Sequence, residues 1–270
     1  MTSALRADAL TARVTDAMSA GPEGGSSPWQ GVTVLDRVDS TNAELVRHPR
    51  PWQVVTADHQ QAGRGRLTRS WQTPAGMAVT LSACVPAPVG RAADLGWLPL
   101  LTGLAVRDAL VSLGLSGAVL KWPNDVLVTT DDERKVCGVL CELVPAAGLA
   151  VLGLGINVHQ GRADLPVERA TSLALCGLDV GREDVVVAVL TALGRRHAQW
   201  ALPARLPALV REYADACATI DRDVAISLPD GSLRQGRALR VDAAGRLVVR
   251  TDAGETAHAA GDVVHARLAD

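Results

Sequence analysis

The densest concentration of chemistry in the chain is Gln60-Gln61-Ala62-Gly63-Arg64-Gly65-Arg66-Leu67-Thr68-Arg69-Ser70-Trp71. Three arginines fall within six residues, two of them interleaved with glycine, in a chain whose formal net charge is only −2. Glycine lets backbone amides approach an anion closely, and arginine offers paired, planar donors to phosphate or carboxylate. The segment therefore suits a loop that closes on a negatively charged ligand. It reads equally well as a solvated basic loop or an RGG-like nucleic-acid contact. It is not a P-loop, because GxxxxGK[ST] is absent, so a nucleotide would need another cradle.

Four further segments carry polar groups in telling places. Lys121-Trp122-Pro123-Asn124-Asp125 follows the apolar run Ala118-Val119-Leu120, so a strand delivers a cation, an indole, a rigid bend and two small polar groups to one point. Asn and Asp there can satisfy turn amides or hold a hydrated metal. Taken alone, the segment is also an ordinary hairpin turn. In Lys135-Val136-Cys137-Gly138-Val139-Leu140-Cys141-Glu142 a lysine opens a run suited to a buried strand. An ammonium is costly there unless an anion meets it or the strand start is solvated. Cys137 and Cys141 would sit about 13 Å apart on a strand, with no partners nearby, so they do not read as a zinc site. Asp39-Ser40-Thr41-Asn42-Ala43-Glu44 holds a Thr41–Glu44 capping box, and its hydroxyls and amide also cluster at a helix N-terminus. Gly153-Leu154-Gly155-Ile156-Asn157-Val158 begins like GxGxxG, but Val158 replaces the third glycine, which argues against a dinucleotide fingerprint. The six histidines are dispersed and form no Ser–His–Asp or metal-ligand pattern.

These segments must be positioned by strands and helices in an irregular order. Strands are expected at Gly31–Val38, Trp52–Ala57 and Met77–Val85, then around 118–122, 125–129, 135–144 and 150–158, the last four joined by short turns and hence antiparallel. Helices are expected just after residue 40, over about 92–113, and near 183–200 and 203–216. The order is α+β, without regular βαβ alternation. Residues 1–28 read as a flexible N-terminal segment with a weak helical pattern over 1–20, residues 29–217 as the main unit, and 218–270 as a small β-barrel of short strands broken by turns.

Composition narrows the class. A chain of 270 residues suggests one or two domains, and 48% hydrophobic with 21% charged residues is ordinary for a globular protein. No apolar run approaches a membrane span. The near-neutral charge gives no global field for nucleic acid. Five scattered cysteines fit reduced thiols in a cytoplasm rather than a disulfide framework. With 3% aromatics and no Phe, the core must be built from Ala, Val and Leu.

Taken in order, DSTN, QQAGRGR…W, KWPND, KVCGVL, GLGINV and Ala170-Thr171-Ser172-Leu173 closely resemble the biotin protein ligases. The resemblance covers about residues 32–175, and the β-rich tail is similar to the family's C-terminal SH3-like barrel. It implies a mixed, largely antiparallel sheet with helices, shared with lipoate ligases. It also implies ATP and Mg2+ as cofactors, biotin as substrate, and the carrier domain of a biotin-dependent carboxylase as partner. In that family, biotin and ATP form biotinyl-5′-AMP, which then acylates a carrier lysine. By resemblance Lys135 and Arg64 are catalytic, with Arg64 nearest the reacting carboxylate and phosphate. Ser40, Thr41, Asn42, Gln60, Arg64, Gly65, Arg66, Lys135 and Gly138 are carried over to biotin. Arg66, Arg69, Trp71, Lys121, Asn124 and Asn157 are carried over to the adenylate. No resident metal set is implied.

Two departures stand out. Thr68 occupies the second glycine position of the family's GRGRxGRxW, which bears on loop flexibility. The segment before Trp29 is too short for a winged helix-turn-helix, so neither DNA nor membrane is an expected partner. A lipoate ligase or octanoyl transferase would share the fold but not the combination of GRGR, KWPND and tail. A binding module built on the arginine loop and the barrel is disfavoured by the near-neutral charge.

Overall fold

The computed structural model describes residues 5–20, 26–66, 69–87, 95–228, 231–259 and 261–265. Thr68, residues 21–25 of the lead-in, residues 92–94 of the expected long helix and the Pro229-Asp230 turn lie outside the described residues.

One mixed sheet organises the molecule. Its strands are β1 (Gly31–Val38), β2 (Gln53–Gln60), β3 (Ala78–Pro86), β4 (Ala118–Lys121), β5 (Asp125–Val128), β6 (Arg134–Val144) and β7 (Leu149–Asn157). They pair in the order β1-β2-β3-β7-β6-β5-β4. Only β1 with β2 is parallel, joined through the helix α2 (Thr41–Arg47); the other pairings are antiparallel. The expected run of hairpins from β4 to β7 is present.

Two-residue periodicity splits the central strands between two environments. On β7, Leu152, Leu154 and Ile156 join the main core, which is covered by α3 (Trp97–Ser112) and α4 (Arg182–Ala201). Val151, Gly153 and Gly155 face the other side, where α2 packs over a smaller cluster of Leu45, Val55, Cys84 and Val151. The apparent GxGxxG is therefore one face of a buried strand. α5 (Leu206–Ala216) closes the helical layer and buries Tyr213 edge-on against Trp97, ring centres 5.9 Å apart.

The N-terminus corrects an expectation. Residues 7–19, which carry a weak helical pattern within a segment read as flexible, form helix α1 (Ala7–Ser19), whose Leu10 and Val14 are buried against α4 and β1. An apolar pair one turn apart supplies the stripe, but it is too narrow to stand out among polar neighbours.

The tail forms a second, wholly antiparallel sheet of β8 (Asp223–Ser227), β9 (Leu233–Val241), β10 (Leu247–Thr251), β11 (Gly254–His258) and β12 (Asp262–His265), ordered β11-β10-β9-β8-β12. This is the small β unit expected from the turns. It docks through indoles, with Trp97 Nε1 donating to Ala243 O (2.8 Å) and Trp122 Nε1 to Gly245 O (3.1 Å). Among the described residues no helix is long and apolar enough to cross a membrane.

Candidate functional site

The sheet face under α2 carries a cleft into which the arginine loop folds. Backbone contacts shape that loop as a narrow hairpin: Trp71 N–H donates to Gly63 O (2.8 Å) and Gly65 N–H to Arg69 O (2.7 Å). Glycine is needed at residue 63 because a Cβ there would overlap the Trp71 carbonyl. Each arginine then reaches a different element. Arg64 Nη2 donates to Glu142 Oε2 on β6 (3.0 Å), Arg66 Nη1 to Asn124 Oδ1 in the β4–β5 turn (3.2 Å), and Arg69 pairs with Asp262 on β12. An entering phosphate or carboxylate would compete with these acceptors for the guanidinium donors.

At one end of the cleft the contacts are charged. Lys135 Nζ stands 2.6 Å from Asp125 Oδ1, an ion pair without hydrogen-bond alignment, and 5.6 Å from the centre of the Trp71 ring. The lysine's backbone is clamped on both sides: its N–H donates to Arg169 O (2.8 Å) and its carbonyl accepts from Thr171 N–H (2.8 Å). The Ala170-Thr171 segment thereby fixes the start of β6. Asn124 Nδ2 donates to Val139 O (2.8 Å) and ties the turn to the same strand. Burial lowers the pKa of Arg66, opposed by the nearby Asp262 and Asp125 carboxylates.

At the other end the contacts are mostly neutral. Ser40 caps α2, its Oγ accepting from Ala43 N–H (3.4 Å). This replaces the expected Thr41 cap, and Glu44 pairs with Arg47 (2.6 Å) instead. Thr41 donates to Gln60 Oε1 through both its N–H (2.9 Å) and its Oγ1 (3.1 Å). Asn42 Nδ2 donates to Leu140 O (3.1 Å) and to Glu142 Oε2 (2.8 Å). Between the two ends lies a floor of glycines. A Cβ on Gly153 would overlap the Asn42 amide, one on Gly155 the Trp71 indole, and one on Gly138 would stand 2.8 Å from Lys135 Nζ. Trp71 Nε1 is buried against this floor and, among the described residues, has no hydrogen-bond partner.

Most of the residues singled out from the sequence thus converge: Ser40, Thr41, Asn42, Gln60, Arg64, Gly65, Arg66, Arg69, Trp71, Asn124, Lys135 and Gly138 all line the cleft. Three of the expected residues sit differently from the rest. Arg64 turns to Glu142 at the neutral end, and it is Arg66 that lies beside Asn124 and Asp125 on the Lys135 side. Asn157 does not line the cleft; its Nδ2 donates to Thr171 O (2.8 Å) and its Oδ1 accepts from Gln160 (3.0 Å), so it secures the segment that clamps Lys135. Lys121 lies outside the lining, and burial lowers its pKa against the pull of Asp125 and Asp262. Asp125, read only as a turn residue or a holder of hydrated metal, and Glu142, Ser82 and Asp262 were not carried over as site residues. The first two end quoted motifs, whereas Ser82 sits in an apolar strand and Asp262 in another sheet, where local sequence gives no signal.

Desolvation pushes the thiols of buried Cys137 and half-buried Cys141 up to about 12, which makes them poor nucleophiles. Among the described residues no three His, Cys, Asp or Glu side chains cluster as metal ligands.

Residues 34–158 match the profile of the Biotin/lipoate A/B protein ligase family. The chain is 33% identical over 252 residues to the biotin–[acetyl-CoA-carboxylase] ligase of Mycobacterium tuberculosis, covering 90% of this chain and 92% of that protein. It is also 33% identical over 179 residues to the bifunctional ligase/repressor BirA of Escherichia coli, covering 63% of this chain and 53% of that protein. Its fold superimposes on the biotin protein ligase from Aquifex aeolicus in complex with biotin and ATP with a TM-score of 0.75, at 26% identity, over 89% of this chain and 100% of the other. With motifs, sheet topology and a near-full-length relative in agreement, the chain belongs to the biotin protein ligase family.

Proposed function

We propose that this chain activates biotin with ATP and passes it to a lysine of a biotin carboxyl carrier domain, using one cleft for both steps. In the first, a carboxylate oxygen of biotin attacks the α-phosphorus of ATP, the bond to the bridging oxygen breaks, and pyrophosphate leaves with the electron pair. In the second, the neutral amine of the carrier lysine attacks the acyl carbon of biotinyl-5′-AMP, AMP departs, and the nitrogen releases a proton. Both reactants of the first step are anions, so preorganised cations must screen them.

The observation that carries this reading is the polarity of the cleft. Lys135 and Arg66 stand with Asn124 and Asp125 at one end, and hydroxyl and amide groups of Thr41, Asn42 and Gln60 at the other. We assign Lys135 and Arg66 to the carboxylate–phosphate junction and the neutral end, with Arg64 and Gly65 above it, to the ureido ring. Gly138 supplies the floor under the acyl chain, and Arg69 and Trp71 the nucleotide side. Asn157 and Lys121 act from behind. Asn124 and Asp125 suit a hydrated Mg2+ arriving on ATP, since such an ion needs only one or two protein oxygens beside the phosphates, whose charge it would neutralise. We further read residues 29–217 as the catalytic unit, 218–270 as a C-terminal β unit, and the cytoplasm as the compartment that suits five free cysteines.

ATP–pyrophosphate exchange tests the reading. Exchange should require biotin and be followed by labelling of a purified carrier domain. Exchange driven by lipoate, or by neither acid, would overturn it.

A further inference from the structure

We infer that Ser82 is a positioning residue for biotin recognition, locking Thr41 and Asn42 from behind the cleft. The inference rests on the proposed function, which sets those two side chains against the ureido ring.

Ser82 lies on β3, where Val79, Leu81, Ala83 and Val85 enter the main core, and it faces α2. It is 0% exposed and does not line the cleft, so it cannot touch a ligand there. A hydroxyl so placed is costly unless it is hydrogen-bonded. Its Oγ lies 2.8 Å from Thr41 Oγ1 and 2.6 Å from Asn42 Oδ1. One hydroxyl proton cannot serve both oxygens at once, so Ser82 couples the orientations of its two neighbours.

The consequence falls on Asn42. Its oxygen is turned to Ser82, and its two N–H groups are taken by Leu140 O and Glu142 Oε2. Both donors are spent, and what the amide retains is acceptor capacity on Oδ1, which matches a ureido N–H. Gly153 leaves the amide no slack, because a Cβ there would overlap it. Leu140 O and Glu142 Oε2 hold the nitrogen side of the amide, and the Ser82 hydroxyl holds its oxygen.

The test is Ser82→Ala in the full chain, read by ATP–pyrophosphate exchange. The biotin KM should rise roughly tenfold or more, the scale of leaving a buried polar partner unsatisfied, while the ATP KM stays put and kcat changes by less than about twofold. Ser82→Cys keeps a weak donor on a somewhat larger atom, and should recover part of the loss. A wild-type biotin KM in folded Ser82→Ala overturns the inference. So does a matching loss in kcat and both KM values, which marks general damage. If the alanine variant does not fold, Ser82→Cys decides alone: a raised biotin KM supports the role and an unchanged one refutes it. Wild type assayed alongside separates the two levels. No biotin-dependent exchange there refutes the function and this inference together, whereas normal exchange with an unaltered variant refutes Ser82 only.

Discussion

At the Lys135 end of the cleft an ammonium meets a carboxylate, and Arg66 lies close behind the same turn; at the Thr41 end three elements meet through hydroxyls and amides. The charged contacts are partly open to solvent, with side-chain exposures of 32% for Lys135 and 20% for Asp125. Ion pairs of that kind add little to stability. Their worth lies in charge that is already in position when two anions must meet. The neutral contacts are buried and directional, and they act by leaving a mismatched ligand with unpaired groups. One end thus acts on rate and the other on selection, so substitutions at the two ends should fail in different kinetic constants.

The largest effect is expected for Lys135→Ala. Losing one preorganised charge costs on the order of 10²- to 10³-fold in turnover. We expect that loss in biotin-dependent exchange with the melting temperature almost unchanged. Normal turnover in a folded Lys135→Ala protein would erase the distinction between the two ends.

The charged end also leans on the second sheet. Trp122 N–H donates to Thr219 Oγ1 (3.1 Å), which stands 3.0 Å from His265 Nε2, and Arg222 Nη1 lies 3.4 Å from Nδ1. Burial, with Lys121 and Arg222 close by, lowers the His265 pKa to about 4, opposed by Glu133. Because the folded value lies below the unfolded one of about 6.5, the unfolded chain takes up the proton first. This contribution is complete above about pH 6.5 and is lost as pH falls towards 4. Thermal unfolding from pH 7 to 4.5 should show that decline, and His265→Asn should flatten it. An equally steep curve in the variant would remove His265 from the account.

The same contrast explains what was legible in the sequence. The hairpins from β4 to β7 were, because alternating apolar residues and turn residues specify them locally. So were the segments that meet in the cleft, since each concentrates polar groups against an apolar background. Side-chain direction was not: Arg64 and Arg66 differ by two residues, yet one meets Glu142 on β6 and the other Asn124 in the β4–β5 turn. Asn157 sits on the cleft face of β7 by periodicity, but Thr171 and Gln160 claim its amide. Ser82 is a single hydroxyl in an apolar strand, and its meaning comes only from residues 40 positions away. Helix α1 showed only as a weak helical pattern, because two apolar residues make a faint stripe.

Trp71 spans the floor between the two ends, over Gly155 and near Lys135. Trp71→Ala should raise the ATP KM about tenfold, the scale of one lost aromatic packing and cation–π contact, and Trp71→Phe should restore most of it. A change confined to the biotin KM would instead assign the indole to the neutral end.

Ionic strength gives the mildest effect and the most direct separation. Screening shortens the Debye length from about 10 Å at 0.1 M salt to about 3 Å at 1 M. Partly exposed charges feel this, and buried neutral hydrogen bonds do not. Biotin itself carries a carboxylate that would report on both ends, so its methyl ester is the cleaner probe of the neutral end. Over that salt range ATP affinity should weaken severalfold, while methyl ester affinity, measured by calorimetry, should stay within about twofold. If both fall in parallel, the ring end is held by charge as well, through Arg64 and Glu142, which already form an ion pair above it.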